Sequence, residues 1–398
     1  MSRMSGYDYV IIGKGLVGAA AARYLSKEAK VAIIGPDEPS DFHQSQIFAS
    51  HYDQARVQRI IGKDIHWTRL NQDAINAYAA LEKESGIHFH ENMGCLYVNP
   101  HGVDAYLKAA SHQATQIGTN PVFYSSEKEI NQQFPFLTFP EGTVGMLEEG
   151  PAGLINPRKL LQAQLTVAKS NGVTTINEVA VSLKKVGGVF TIVTNRGTIV
   201  HAGQVIIATG SYQNFSGLLE QPVAMRSKTE SVILIEWDTK DPNTSKIPSI
   251  LYELVHPEIE AIYVLPPVQY PDGKTYIKIG ANVSEDEWFE SKEEIAKWFQ
   301  SGPSTTLSQK LFKGLKDILP SLPENSNYQS KPCVVSYTKH GRPYIGEYCI
   351  EGIIIAGGCN GYSAMCSDSI GKLGAFFAQN RSFPEPYEAA AFKIEYPD

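Results

Sequence analysis

The sequence is short of cysteine, of long apolar runs and of positive charge, and each shortage closes a class of function. Its 398 residues hold five cysteines, at 95, 333, 349, 359 and 366. None forms a C-x-x-C pair, the odd number argues against a disulfide framework, and no spacing matches a zinc pattern. A reducing, cytoplasmic setting and no metal are expected. His88 and His90 in "HFH" would share one strand face, which two imidazoles alone make a polar surface pair. The longest apolar runs, "YVIIG" and "GIIIAGG", have strand length and fall far short of a membrane span. The start, "MSRMSGYDYVIIG", enters a strand directly, without an apolar leader and cleavage site. Lys and Arg total 35 against 42 Asp and Glu, a net charge of −7, which offers no footprint for nucleic acid. No internal repeat points to a solenoid.

What is present begins at the N-terminal end. "YDYVIIG" reads as a buried strand, "GKGLVG" as a glycine turn, "AAAARYLSKEA" as a small-residue helix and "KVAIIG" as a second strand. Together they make a βαβ unit. Periodicity predicts a helix from Trp67 to Gly86 with Leu70, Ile75, Tyr78 and Leu81 on one face. Further helices are predicted around 103–116, over "NPRKLLQAQLTVAKSNG" and over the charged stretch "SEDEWFESKEEIAKWFQ" (284–300). Strands are predicted in the meander that ends in "VIIATG", in "SVILIEWD", "AIYVLPP" and "TYIKIG", and in "GIIIAGG". At this length two or three domains are expected.

Gly13, Gly15 and Gly18 stand in the G-x-G-x-x-G spacing, between a strand and a helix. The first glycine permits the tight turn, the second lets backbone approach a pyrophosphate, and the third lets helix pack on strand. Leu16 and Val17 would offer the helix N-terminus to the phosphates. The acidic residue usual at the end of the second strand is missing, because "VAIIG" ends in Gly35. Asp37 is the nearest carboxylate for the ribose hydroxyls, and no arginine follows to greet a 2′-phosphate. Late strand-turn segments, "IIATG" and "GIIIAGGCNGY", suggest one cofactor threaded by distant parts of the chain, which favours FAD over NAD.

With these pieces in place the chain resembles the FAD-dependent D-amino-acid oxidase superfamily, and within it the monomeric sarcosine oxidase and N-methyl amino-acid oxidase branch. The likeness rests on the fingerprint, "SHYDQARVQR", "GLINPRKLLQ", "IIATGSY", "TYIKIG", "CVVSYTKHGRPYIG" and "IAGGCNGYSAMCSDSIG", and so spans nearly the whole chain. It implies an α/β fold: a doubly wound, Rossmann-like FAD-binding domain (1–90, 147–222 and 331–398) and a substrate domain with a mixed β-sheet (91–146 and 223–330). It implies a flavin amine oxidase that turns a CH–NH group of an amine or N-substituted amino acid into an imine and reduces dioxygen to hydrogen peroxide. A dehydrogenase that passes electrons to a carrier, or a flavin-binding subunit without turnover, are the alternatives. Expected partners are a small amine and dioxygen, in a monomer or small homo-oligomer.

The resemblance also distributes roles. Arg56 and Arg59, three apart and read as one helical face, would lie beside the flavin, with His51 in the same loop. Val179, Thr209 and Gly210 would touch the cofactor, as would Gly358, Asn360, Gly361 and Tyr362 in the last glycine-rich turn. Lys278, inward with Tyr276 and Gly280, would assist dioxygen, or else is a solvated residue on an open face. Tyr263, Tyr337 and Tyr362 would shape the substrate pocket or are plain core. Asp368 is read as a helix cap before a substrate-facing group. Cys333 stands where the branch attaches the flavin covalently, with Lys331 or His340 as the cation favouring its thiolate; a buried inert thiol is the other reading. Two positions depart from the pattern. Met365 replaces a lysine that helps hold the substrate carboxylate, and Val335 stands where glycine oxidases carry an arginine. Arg226, Arg342 or Arg56 would have to take that role, or the substrate is an amine without the acid.

Overall fold

The computed structural model describes residues 6–253 and 259–397. From its N-terminal end the chain forms β1 (Tyr7–Ile12), α1 (Leu16–Leu25), β2 (Val31–Ile34), β3 (Arg56–Gln58), α2 (Ile65–Ser85), β4 (His90–Glu91) and β5 (Cys95–Asn99). Then come α3 (Ala105–Ile117), β6 (Val122–Tyr124), α4 (Glu127–Gln133), β7 (Val144–Glu148), β8 (Gly153–Ile155), α5 (Pro157–Ser170), β9 (Thr174–Ile176), β10 (Ala180–Val186), β11 (Val189–Thr194) and β12 (Ile199–Ile207). The second half adds β13 (Met225–Glu236), β14 (Ser249–Glu253), β15 (Ile259–Gln269), β16 (Thr275–Val283), α6 (Lys292–Ser301), α7 (Thr305–Ile318), β17 (Tyr328–Thr338), β18 (Tyr344–Glu347), β19 (Ile353–Gly357) and α8 (Ser367–Asn380).

Two large sheets divide these strands. In the first, β9, β2, β1, β12 and β19 run parallel, with β10 and β11 as an antiparallel meander and β18 beyond β19. Its central strands are apolar throughout because both faces are covered. Helices α1, α2, α5 and α8 pack on one face around Ile11, Ile33, Ile206 and Ile354. The small residues of α1 have a specific use. Ala19 to Ala22 are fully buried, and a Cβ on Gly371 of α8 would lie 2.5 Å from that of Ala20, so the two helices touch backbone to backbone.

The second sheet has the order β17-β13-β16-β15-β14-β5-β7-β6, antiparallel except between β14 and β5. One face is sealed by α7, whose Leu311, Leu315 and Ile318 meet Ile233, Ile277 and Ile279. A three-stranded sheet, β3-β8-β4, joins the two.

Most predicted elements are found where the periodicity put them. The helix predicted at Trp67 is α2, with Leu70, Ile75, Tyr78 and Leu81 buried and Gly86 ending it at φ +70°. Three expectations fail. The charged helix begins only at Lys292, because Trp288 bridges to Lys228 in a short strand contact. Arg56 and Arg59 share no helix, since Arg56 to Gln58 pair with Gly153 to Ile155 as a strand. The domain boundaries at 146/147 and 330/331 fall inside β7 and β17, both of which belong whole to the second sheet.

Candidate active site

β1 delivers the chain to a turn at Gly13, φ +113°, where a Cβ would lie 2.2 Å from the Ala208 carbonyl oxygen. Gly15 caps α1 in extended geometry, and a Cβ there would meet nothing within 4 Å. Open space faces this glycine. No acidic side chain stands in the first turn of α1 and no side chain caps it, so the positive end of the helix is left for an anion. Gly18 acts one turn later: its Cβ would lie 1.9 Å from the Gly13 oxygen. It therefore serves packing and does not line the opening, whereas Gly13, Gly15, Leu16 and Val17 do.

The opening is a cavity of about 570 Å³ walled by both large sheets. His51, Arg56, Arg59, Val179, Thr209, Gly210, Tyr263, Cys333, Tyr337, Gly358, Asn360, Gly361, Tyr362 and Met365 all line it. Asn360 ties two of its walls together. With φ +51°, it donates its amide N–H to the Ser336 carbonyl at 2.6 Å and accepts the Thr338 N–H at 3.1 Å. The last glycine-rich turn is thereby pinned to β17. His51 is buried against Tyr52, and burial, then Arg158 and Arg56, lowers its pKa to about 3.

Lys278 is fully buried behind this surface, which excludes the solvated reading. Its ammonium donates to Asp53 Oδ2 at 2.6 Å and to the Ala55 carbonyl at 3.0 Å. The same carboxylate takes Arg56 as an ion pair, the Tyr270 hydroxyl at 2.7 Å and the Gln54 N–H at 2.7 Å. Burial first, then Arg56, holds Lys278 well below the usual lysine range. The other end of Arg56 donates from Nη2 to Cys333 Sγ at 3.5 Å. The cation at the sulfur is thus neither Lys331, which is exposed, nor His340, whose ring bonds the Lys393 carbonyl.

Arg59, another residue of the lining, is 5% exposed. Its Nη1 donates to the Tyr106 hydroxyl at 3.0 Å, its Nε is buried without a partner, and no ion pair to it exists among the described residues. Glu148 is near but spends its oxygens on the N–H groups of Ile60 and Ile61; burial raises its pKa to about 7. Lys63 lines the cavity beside Arg59, and both cations lie over the Tyr362 ring, at 4.9 and 5.7 Å from its centre. Arg226 and Arg342, by contrast, pair with Glu290 and Asp64 away from the cavity.

Two sequence expectations are moved. Asp37 does not line the cavity; it is largely exposed and paired with Lys14, which also reaches Asn177 at 2.5 Å. Asp368 is neither cap nor substrate group. It is buried between helices, where it accepts from Arg23 at 2.5 Å, Tyr24 at 2.7 Å and Gln164 at 3.3 Å. Sequence reading missed Asp53, Lys63, Tyr106 and Glu230 as site residues. Only Glu230 left a trace, an acid on the β13 face that also carries Val232 and Leu234.

Comparison with known proteins adds a family to this geometry. The model of the FAD dependent oxidoreductase family (DAO) matches residues 8–376. The peroxisomal sarcosine oxidase of Mus musculus is 23% identical over 398 residues, 98% of this chain and 95% of its own length. Among solved structures, NikD, an unusual amino acid oxidase essential for nikkomycin biosynthesis, superposes with a TM-score of 0.79 at 18% identity, covering 99% and 98% of the two chains. L-proline dehydrogenase from P. horikoshii superposes with a TM-score of 0.73 at 16% identity, covering 96% and 95%.

Proposed function

This chain belongs to the FAD-dependent oxidoreductase family, and on that premise we propose that it oxidises the C–N single bond of an N-substituted amino acid to an imine, with dioxygen as the acceptor. The open glycine cradle and uncapped α1 fit the pyrophosphate of FAD. When bound, FAD supplies the two-electron acceptor for a CH–NH donor.

The observation that carries the substrate class is Arg59, a buried guanidinium facing the cavity without an anion. A buried charge left unpaired is costly, and a substrate carboxylate removes that cost. Lys63 stands beside it and supplies a second cation where Met365 supplies none. Tyr263, Tyr337 and Tyr362 wall the space for the substituent. Arg56, fixed by Asp53 on the cavity wall with Lys278 behind it, sets a positive field that favours electron transfer to dioxygen. Arg56 sets a guanidinium 3.5 Å from the Cys333 sulfur, a cation beside the candidate nucleophile, which supports covalent attachment of the flavin. We assign the first sheet and its helices to FAD binding and the second sheet, including all of β7 and β17, to the substrate.

The test is an anaerobic flavin-bleaching screen followed by air. N-methyl amino acids are expected to bleach the flavin, and the corresponding methyl esters to need about 10- to 100-fold higher concentrations. Readmitted air should restore the colour and yield peroxide. No bleaching by any amine refutes the reading, and slow recovery without peroxide makes dioxygen the wrong acceptor.

A further inference from the structure

One acid in the cavity remains without a task. Glu230 lies on β13 directly opposite Cys333 of β17, so the two side chains leave the sheet side by side on one face. It is 6% exposed, it lines the cavity, and its carboxyl makes no hydrogen bond to the described residues. Its neighbours along that face of β13, Val232 and Leu234, are buried with Tyr263 and Cys333 in an apolar cluster. An acid that lines the cavity without a protein partner is placed to meet a group that enters it.

The charges around it say what that is. Lys228 on its own strand, Asp286 beyond β16, Lys278 on β16 and Arg56 at β3 surround Glu230, with Tyr263 on β15 and Cys333 on β17. Each cation already has a carboxylate. Lys228 pairs with Asp286 at 2.7 Å, Lys278 with Asp53 at 2.6 Å, and Arg56 with Asp53. Among these groups of the described residues, Glu230 is the one without a committed partner.

We propose that Glu230 binds the substrate's cationic nitrogen, pairing with the ammonium of an N-substituted amino acid whose carboxylate is held at Arg59. This deepens the functional reading above and rests on it. Burial, then Asp286, raises the Glu230 carboxyl to about 8. The free site therefore holds a neutral acid at pH 7. On arrival of a cation the O–H proton leaves to solvent and the carboxylate pairs with the nitrogen, so binding releases one proton and no bond to the ligand forms.

A permanent cation separates this proton from any lost by the ligand itself. N,N,N-trimethylglycine carries a quaternary nitrogen and a carboxylate and has no N–H. Its binding to the flavin-loaded full chain is measured calorimetrically at pH 7 in phosphate and in Tris. The expected result is a buffer-dependent heat corresponding to close to one proton released per ligand. Glu230→Gln should bind it about 10- to 100-fold more weakly with no proton released, while Glu230→Asp should keep the release. Wild-type protein that fails to bind the probe, or binds it without releasing a proton, overturns the proposal whether or not the variants fold. So does a folded Glu230→Gln with unchanged affinity. If N-methyl amino acids bleach the flavin while the proton is missing, the assignment of Glu230 fails and the oxidase reading stands; if nothing bleaches, the oxidase reading itself has failed.

Discussion

Asp53 is the side chain on which the buried charges beside the cavity turn, since it accepts from Lys278, Arg56, Tyr270 and the Gln54 backbone at once. Lys278→Met removes one donor to Asp53 and leaves the remaining donors in place. Reoxidation of the reduced flavin by air is expected to slow by about 10²- to 10³-fold, with anaerobic reduction retained, in stopped-flow measurements. Equal losses in both half-reactions would make Lys278 a structural group only. His51 makes a prediction of a different kind. Its folded pKa of about 3 lies below the ordinary 6.5, so the unfolded chain binds the extra proton between those values. Its contribution is complete above pH 6.5 and is lost as pH falls towards 3. Urea unfolding from pH 7 to 4 should show a shallower loss for His51→Asn than for wild type. Legibility at this scale followed local pattern. The fingerprint glycines and Cys333 could be found because neighbouring residues carry their meaning. Asp53 and Tyr106 could not, because only chain crossings bring them to Lys278 and Arg59; Lys63, close after Arg59 in the chain, carries no motif that marks it.

Among the elements, α1 and α8 make the contact most exposed to single changes. Asp368 is 1% exposed between them and holds Arg23, which is itself buried. Asp368→Ala leaves that guanidinium without its anion and is expected to cost about 3–5 kcal/mol, read by equilibrium denaturation. Gly371→Ala drives a methyl towards Ala20 and should cost about 1–3 kcal/mol; wild-type melting of either variant would refute the packing argument. The βαβ unit and α2 were readable because their apolar periods are long and consistent with their ends. The stretch around Arg56 was misread as helix for the opposite reason. It is three residues long, and what makes it a strand is pairing with Gly153 to Ile155, almost a hundred residues away. Asp368 was misjudged because a first-turn acid has the same local pattern whether it caps its own helix or crosses to another.

For the molecule as a whole, the cavity is where the two large sheets meet, and residues of both line it; on the proposed function FAD would touch both walls. In a Cys333→Ser variant, which keeps the flavin exchangeable, removing FAD should therefore lower the melting temperature of the entire chain, and adding it back at about a hundred times its Kd should restore about 2.7 kcal/mol. Calorimetry of the flavin-free protein with and without FAD checks this; a melting temperature independent of FAD would mean that the walls hold without it. The first sheet also interleaves distant parts of the chain: β1 pairs with β12 through Tyr7 and Ala202, and β12 with β19 through Val205 and Ile353. Its consequence is felt at the ribosome. The fingerprint glycines are made some 340 positions before the strand and turn that stand beside them in the folded sheet, by the difference between Gly13 and Ile353. If FAD sits as proposed, its pocket is complete only once the final glycine-rich turn has been made, and FAD supply is expected to govern the yield of native protein only after that point in translation, which pulse-labelled expression with and without riboflavin checks.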